Sequence, residues 1–440
     1  MCIRDRFLTT DFDQDLDPIV AQAAASVSRS IRTSRQSMSP LEGRGVLASW
    51  DSRLEQLVVY TSTQQPHIVR TGLSECLGIE HAQIRVVAPD VGGGFGYKGI
   101  LLPEEICLGW AAKQLGHPVK WLEDRRENLT ASTNCREHHY TITVYGDAQG
   151  RLIAIDAEAT VDAGAYSSYP FSACLEAAQV VSILPGLYDL KGYRCRTYAV
   201  ATNKPPILPY RGVARSGVCT ALELMVDALA RKLAIEPTAV RLNSLVRPEQ
   251  MPFDNITNKH FDSGDYPESL RRAIEAIDLA SIRERQRRGE ADGRHIGVGF
   301  AMYSEQGAHG TTVYAGWGIP MVPGHEQCFA RLTPDGGLEL RIGAHSHGQG
   351  LETTLAQVAH EILGIEVDQV RLVHGDTALT PYSTGTWGSR SMVRSGGAVA
   401  NACDELARRV SHIGATLLQC SEDAVVLRDG AVQSAGSSIS

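Results

Sequence analysis

Residues 54–64, LEQLVVYTSTQ, set a run of apolar and β-branched positions before a polar stop, the pattern of a strand that ends at Gln64. The next stretch, PHIVRTGLSEC, opens on proline and spaces its apolar residues three and four apart, which predicts a helix. Residues 338–349, LELRIGAHSHGQ, repeat the strand, ending at Gln349, and LETTLAQVAHEI repeats the helix. The likeness then becomes literal. Residues 77–90 (LGIEHAQIRVVAPD) and 363–376 (LGIEVDQVRLVHGD) agree at eight of fourteen ungapped positions. Each copy reads strand, Gln, helix, LGIE turn, strand, Asp, loop. The copies lie too far apart for a solenoid, so the pattern predicts an α+β fold of two related domains facing each other.

Two more helical patterns, at 219–235 and 268–288, are parted by a polar stretch, 247–267, that carries three prolines. The chain therefore divides into a first domain over 1–250, a linker over 251–267 and a second domain over 268–440. The run IGVGFAMY (296–303) is expected to be the strand that opens the second domain.

Composition changes this picture little. A chain that is 43% hydrophobic and 21% charged is an ordinary globular one. Net charge is −8, and the densest basic cluster, RERQRR at 283–288, lies among acids on a helical pattern, so nucleic acid is not an expected partner. No apolar run is long enough for a membrane span. The N-terminus shows no signal-peptide core. Ten cysteines without a C-x-x-C pair give neither zinc nor cluster spacing, and free thiols suggest the cytoplasm.

The chemistry sits in VAPDVGGGFGYKG (87–99). Gly94 to Gly99 satisfies G-x-G-x-x-G after an apolar run and before a helix, the outline of a nicotinamide-dinucleotide site. The helix start, however, is Pro103-Glu104-Glu105, four residues beyond the last glycine, whereas a dinucleotide helix begins inside the motif. The glycines read better as a nest of amide N–H groups for an anion. The second copy has its own small-residue loop, TALTPYSTGTWGSRS, after Asp376. Two such loops would grip an extended anionic ligand along a shared seam.

On these residues the chain resembles the molybdenum-hydroxylase family, the molybdopterin-binding large subunits of xanthine dehydrogenase, aldehyde oxidoreductase and aerobic carbon monoxide dehydrogenase. LEGRGVLASWD, TSTQQPHIVR, VGGGFGYKG, DAGAY, PYRGVARS, GQGLETTLAQVA, GDT, TGTWGSRS and GGAVANAC occur in the family's order, over nearly all of 17–440. The resemblance implies that both domains bind molybdopterin. It implies that Gly93, Gly94 and Phe95 approach the cofactor through backbone atoms and that Gln64 turns its amide to an oxygen on molybdenum. Arg211 would lie beside the metal, and Gln349 with Gly388, Ser389, Arg390 and Ser391 would hold the pterin and its phosphate. The pterin's sulfurs bind the metal, so no protein metal ligand is expected.

The resemblance further implies hydroxylation of an aldehyde or N-heterocycle with water as oxygen source. The cofactor would be of the cytosine dinucleotide form. Electrons would pass to 2Fe-2S and FAD on an iron–sulfur small subunit and an FAD medium subunit, in a dimer of heterotrimers. The family's catalytic Glu, in a C-terminal G-x-G-E motif, is absent from this chain. It is therefore expected to be a fragment, both domains truncated, nearly inactive alone and contributing no catalytic residue of its own. Gly99 stands where purine-oxidising members carry Glu, and Gly212 where carbon monoxide dehydrogenases carry the copper cysteine; Cys219 is expected to pack inside a helix. Alternatives are a carbon monoxide dehydrogenase-like subunit without CO activity and a noncatalytic cofactor-binding relative. His309, Tyr314, Trp317 and His325 are either substrate-pocket residues or part of a glycine-rich surface loop. Lys98 is expected near the phosphate, its charge screened by water, so that its loss is mild.

Overall fold

The computed structural model describes residues 6–171, 173–317, 319, 322 and 324–439. Strands β1 (Arg6–Phe12) and β2 (Ala25–Thr33) are followed by β3 (Gly45–Asp51), β4 (Gln56–Thr61), helix α1 (Pro66–Leu77) and β5 (Ile84–Val87). Beyond the glycine stretch come α2 (Pro103–Leu115), β6 (Val119–Leu122), β7 (His138–Gly146) and β8 (Leu152–Gly164). Helix α3 (Leu175–Ile183), β9 (Gly192–Ala201) and α4 (Arg215–Leu233) complete the main elements of the first unit. The second unit holds β10 (Cys328–Leu332), β11 (Leu338–Ile342), α5 (Leu351–Leu363), β12 (Val370–Val373) and α6 (Gly397–Leu418).

The duplication is a duplication of structure. In the first unit β4 and β5 run parallel with Leu57 opposite Ile84, and β3 flanks β4 antiparallel. In the second, β11 and β12 run parallel with Leu338 opposite Val370, and β10 flanks β11 antiparallel. Helices α1 and α5 cross over between the parallel strands. Each ends on the glycine of LGIE, Gly78 at φ +63° and Gly364 at φ +66°, a left-handed stop that frees the chain to turn back. Gln64 and Gln349 each lie one residue before the helix N-cap, as the sequence repeat requires.

Three cores form on three sheets. The five-stranded sheet, ordered β1-β9-β8-β7-β2, packs Ile142, Val144 and Ile155 against Val180 of α3 and Leu222 and Met225 of α4. Burial alternates along β7, so only one face of that strand meets the core. The four-stranded sheet, β5-β4-β3-β6, closes over Leu57, Val59, Val69 and Leu73, and the second unit over Leu340, Leu355, Val399 and Cys403. A fourth cluster draws on both units: Tyr97, Ile100, Phe171 and Leu208 meet Tyr314, Trp317 and Trp387.

Backbone pairing joins the two repeats. Val87, at the end of β5, bridges Asp376. Ala88 N donates to Gly375 O at 2.7 Å, and Thr377 N to Val86 O at 3.0 Å. Arg85 pairs with the Asp376 carboxylate, Nε to Oδ1 at 3.1 Å.

Residues 296–303 form no strand. Their apolar positions are satisfied by side-chain packing instead of a ladder: Phe300 and Met302 lie on the five-stranded core. The stretch 251–267 is likewise structured, with Phe253 opposite Phe261 in a short hairpin and Asn255 buried. Among the described residues no helix is long and apolar enough to cross a membrane, and no group of three or more His, Cys, Asp or Glu is placed to hold a metal ion.

Candidate functional site

The glycine stretch is a loop folded back on itself, as the position of α2 requires. That helix starts at Pro103, and Glu105 caps it by accepting from Leu102 N at 2.8 Å. Gly93, Phe95 and Gly96 all have positive φ, +88°, +57° and +103°. At Gly96 a side chain would also collide with the Pro209 carbonyl, so only glycine fits there. The loop's far side rests on residues 209–212: Arg211 N donates to Phe95 O at 3.0 Å. Arg211 itself is exposed beside the loop.

Gln64 stands between this loop and the loop of the second unit, and it is buried. Its Oε1 accepts from Gly96 N at 2.9 Å, and its Nε2 donates to Thr386 O at 2.8 Å. Thr386 N returns a bond to Gln64 O at 3.0 Å. Thr386 Oγ1 in turn donates to His345 O at 2.6 Å, and Gly93 N donates to His347 O at 3.1 Å. Gln349 is exposed at the start of α5, its Oε1 accepting from His347 N at 2.7 Å. Gln64, the glycine loop, Arg211 and the second loop thus meet along one seam, with Gln349 joined to it through His347.

In the second loop Gly388 and Ser389 both have positive φ, +57° and +56°, and both are exposed immediately before the turn that leads into α6. Ser391 donates to Thr386 Oγ1 at 3.2 Å. Arg390 turns the other way. Its guanidinium is buried, stacks 4.8 Å from the Trp387 ring centroid, and donates to His325 O at 2.9 Å. Its charge is spent inside the protein, so its side of the turn offers the seam only backbone.

The donors suit an anionic, extended ligand. The N–H groups of Gly94, Phe95, Gly388 and Ser389 donate to no acceptor among the described residues. Two of the four belong to each loop, and both loops lie near helix ends that favour negative charge. Behind the glycine loop, Gln65 is fully buried with neither amide atom hydrogen-bonded among the described residues. A buried amide without a partner is costly; fully enclosed, Gln65 supports the loop from behind and lies out of a ligand's reach. Sequence reasoning passed over Gln65; the doubled glutamine at a strand end was the available signal.

Two expectations need correction. Lys98 is not a hydrated surface charge: its side chain is fully buried, and Nζ lies 2.6 Å from Glu42 Oε2, which also accepts from Gly92 N at 2.6 Å. Burial lowers the Lys98 pKa. The residue clamps the glycine loop from below. Lys98→Ala should therefore destabilise the fold by about 2–4 kcal/mol through the cavity it leaves. Lys98→Met should recover most of that loss, because Glu42 is half exposed and hydrates when unpaired. Urea unfolding of the two variants checks this; equal stability of Lys98→Ala and the parent would refute the clamp.

The second correction concerns the surface-loop reading of residues 309–317. His309, Tyr314 and Trp317 are buried, and Tyr314 lies edge-on to Trp387 with centroids 4.8 Å apart. They wall the shared core behind the seam. Burial and Arg215 hold the His309 pKa down to about 3, so its ring is neutral. His325 contributes its carbonyl to Arg390 and sets its ring beside Tyr382.

Comparison with known proteins places this geometry. Two molybdopterin cofactor-binding domain families match the chain, one over residues 4–245 and the other over 272–440. The nicotine 6-hydroxylase large subunit of Paenarthrobacter nicotinovorans is 33% identical over 417 residues, which cover 94% of this chain and 51% of that protein. The carbon monoxide dehydrogenase large chain of Hydrogenophaga pseudoflava is also 33% identical, covering 92% of this chain and 51% of its own. Quinoline 2-oxidoreductase from Pseudomonas putida 86 superimposes with a TM-score of 0.93 at 32% identity, over 98% of this chain and 55% of that one. The chain spans about half the length of the curated relatives it matches.

Proposed function

Since this chain belongs to the molybdenum hydroxylases, as part of their molybdopterin-binding large subunit, we propose that the whole protein hydroxylates an N-heterocycle or an aldehyde with oxygen taken from water. The observation that carries this reading is the seam. One buried glutamine ties two loops together, and each loop brings amide N–H groups that no protein acceptor uses.

When bound, the molybdenum cofactor supplies the two-electron oxidation and the activation of water. The chain's own residues do the rest. Gln64 has one Nε2 hydrogen committed to Thr386 and one left to orient a polar atom of the ligand. Gly93, Gly94 and Phe95 bring main chain close to it, and Arg211 adds positive charge. Gln349 and the turn of Gly388, Ser389, Arg390 and Ser391 take the pterin and phosphate end, the turn through its amides and hydroxyls. Buried Phe171, Tyr314 and Trp387 keep water from the back of the seam.

Two relatives act, by name, on nicotine and quinoline, both N-heterocycles, which favours that substrate class over an aldehyde. Gly212, where a copper-binding cysteine would stand, speaks against CO oxidation. The cytosine dinucleotide form of the cofactor, iron–sulfur and FAD subunits in a dimer of heterotrimers, and a cytoplasmic location complete the reading. The test is isotopic. Turnover of an N-heterocycle in heavy-oxygen water should leave the label in the product, and label arriving from dioxygen would sink the reading. CO should not be consumed.

A further inference from the structure

Beside the seam lies a chamber of about 580 Å³ that neither Gln64 nor the glycine loop lines. One wall is a single face of α4, where Arg215, Val218, Cys219 and Leu222 fall three and four residues apart. The hairpin at 253–261 forms the second wall, and the extended segment 302–307 the third.

Its charges are unevenly partnered. Lys259 has no carboxylate partner among the described residues; its ammonium sits 5.2 Å from the Trp317 ring centroid. Arg215, nearly buried, reaches one carboxylate, Glu305 at 3.6 Å, which is itself half exposed. The other polar groups of note on the lining are exposed: the Asp262 carboxylate, and the His260 ring, which lies 2.8 Å from Asp254. Two neighbouring cations thus sit deep, while acids stand at the rim. Burial and the nearness of Arg215 both lower the Lys259 pKa, the mark of a cation short of a counter-charge. The remaining lining is apolar and aromatic, including Leu222, Phe261, Tyr266 and Met302.

We propose that this chamber binds a small carboxylate with an aromatic body, the carboxylate on Lys259 and Arg215 and the ring against Phe261 and Met302. The volume lies in the range of ligand pockets, and an apolar cavity with a few convergent polar groups is their usual form. Cys219 packs within α4, as the sequence suggests, and from there it also lines the chamber, its thiol 3.9 Å from Met302 O, so it reports on occupancy.

The test uses the whole chain and needs no bound cofactor, so it is separate from the reading of the seam. Naphthoate is titrated calorimetrically against the parent, Lys259→Met and Lys259→Arg, with naphthamide as the neutral probe. In parallel, the rate at which Cys219 reacts with an uncharged methanethiosulfonate is followed by peptide mass spectrometry at alkaline pH, because burial pushes this thiol up to about 11. Naphthoate should bind at one site, at least about tenfold more tightly than naphthamide. Lys259→Met should lose that preference and Lys259→Arg keep it. Naphthoate should slow Cys219 labelling with the same half-saturation. Equal binding of the two probes, or Cys219 labelling unchanged at saturating naphthoate, overturns the proposal. So does unchanged affinity in a Lys259→Met protein that melts like the parent. Should Lys259→Met fail to fold, the Cys219 footprint on the parent chain decides.

Discussion

Gly94→Val is expected to strip the protein of molybdenum while leaving it folded. A Cβ at Gly94 would lie on the Gln64 amide, 2.7 Å from Cδ and 2.8 Å from Cγ. The glutamine has nowhere to go. It is buried, and its two amide atoms are held on opposite sides by Gly96 N and Thr386 O. The reason for glycine here is therefore a protein contact within the seam, in addition to any approach of a ligand. Overpacking of this kind costs about 1–3 kcal/mol, which a domain of this size withstands. The displaced Gln64, however, drags both loops. Metal analysis of the purified whole protein should show molybdenum down by at least about tenfold, with a cooperative melt retained. Gly397→Ala is the control: a Cβ there meets nothing within 4 Å, and the residue is already helical at φ −63°. A folded Gly94→Val protein with parental molybdenum content would show that Gln64 does not organise the site. Loss of NAD binding with molybdenum intact would restore the dinucleotide reading of the glycine motif.

Arg241→Met is expected to produce the largest loss of stability, about 3–5 kcal/mol, the usual cost of stripping one partner from a buried charge pair. Arg241 is fully buried and spends its guanidinium on Glu223 at 2.7 Å, Asp227 at 2.8 Å and the Phe300 carbonyl at 2.7 Å. Glu223 also accepts from Tyr188 at 2.6 Å. Without the arginine, Glu223 is left as a buried anion. Burial already raises its pKa, and losing the arginine raises it further. A carboxyl with a raised folded pKa binds its proton more readily when folded, so its penalty grows as pH rises through that pKa and shrinks as pH falls. The Arg241→Met deficit should accordingly be largest at alkaline pH. Adding Glu223→Gln should recover part of it. Urea unfolding across pH measures both effects, and a deficit below about 1 kcal/mol, as for an exposed pair, would remove Arg241 from the set of structural anchors.

The repeat was legible because it is written locally. LGIE needs glycine in a left-handed stop, and the alternating run after it needs a strand; both constraints act within a few residues and survive in both copies. The start of α2 was legible for the same reason, since proline and a capping carboxylate mark it. What failed was whatever depends on distant partners. IGVGFAMY has a strand's alternation, but its buried face is met by α4 and by Arg241, not by another strand. Lys98 looks like a loop lysine until Glu42, fifty-six residues earlier, is found beneath it. Tyr314 and Trp317 sit among glycines, so their neighbourhood suggests surface, while their actual neighbours are Phe171 and Trp387. The two seam loops were found from composition and their paired positions after duplicated strands. Gln65 was missed although the doubled glutamine at a strand end marks it, and the Lys259 chamber was missed because it has no local signature.

The bond from Gln64 to Thr386 spans 322 residues of sequence. That span sets a timetable. During synthesis the first unit can complete its sheets and bury its own cores long before Thr386 exists, but its key glutamine then has only half its partners. Both loops of the seam are present together only when almost the whole chain described here has left the ribosome. A ligand gripped by both loops therefore meets its complete site only late in synthesis, so its loading is a step that a cell can time separately from the folding of the first unit.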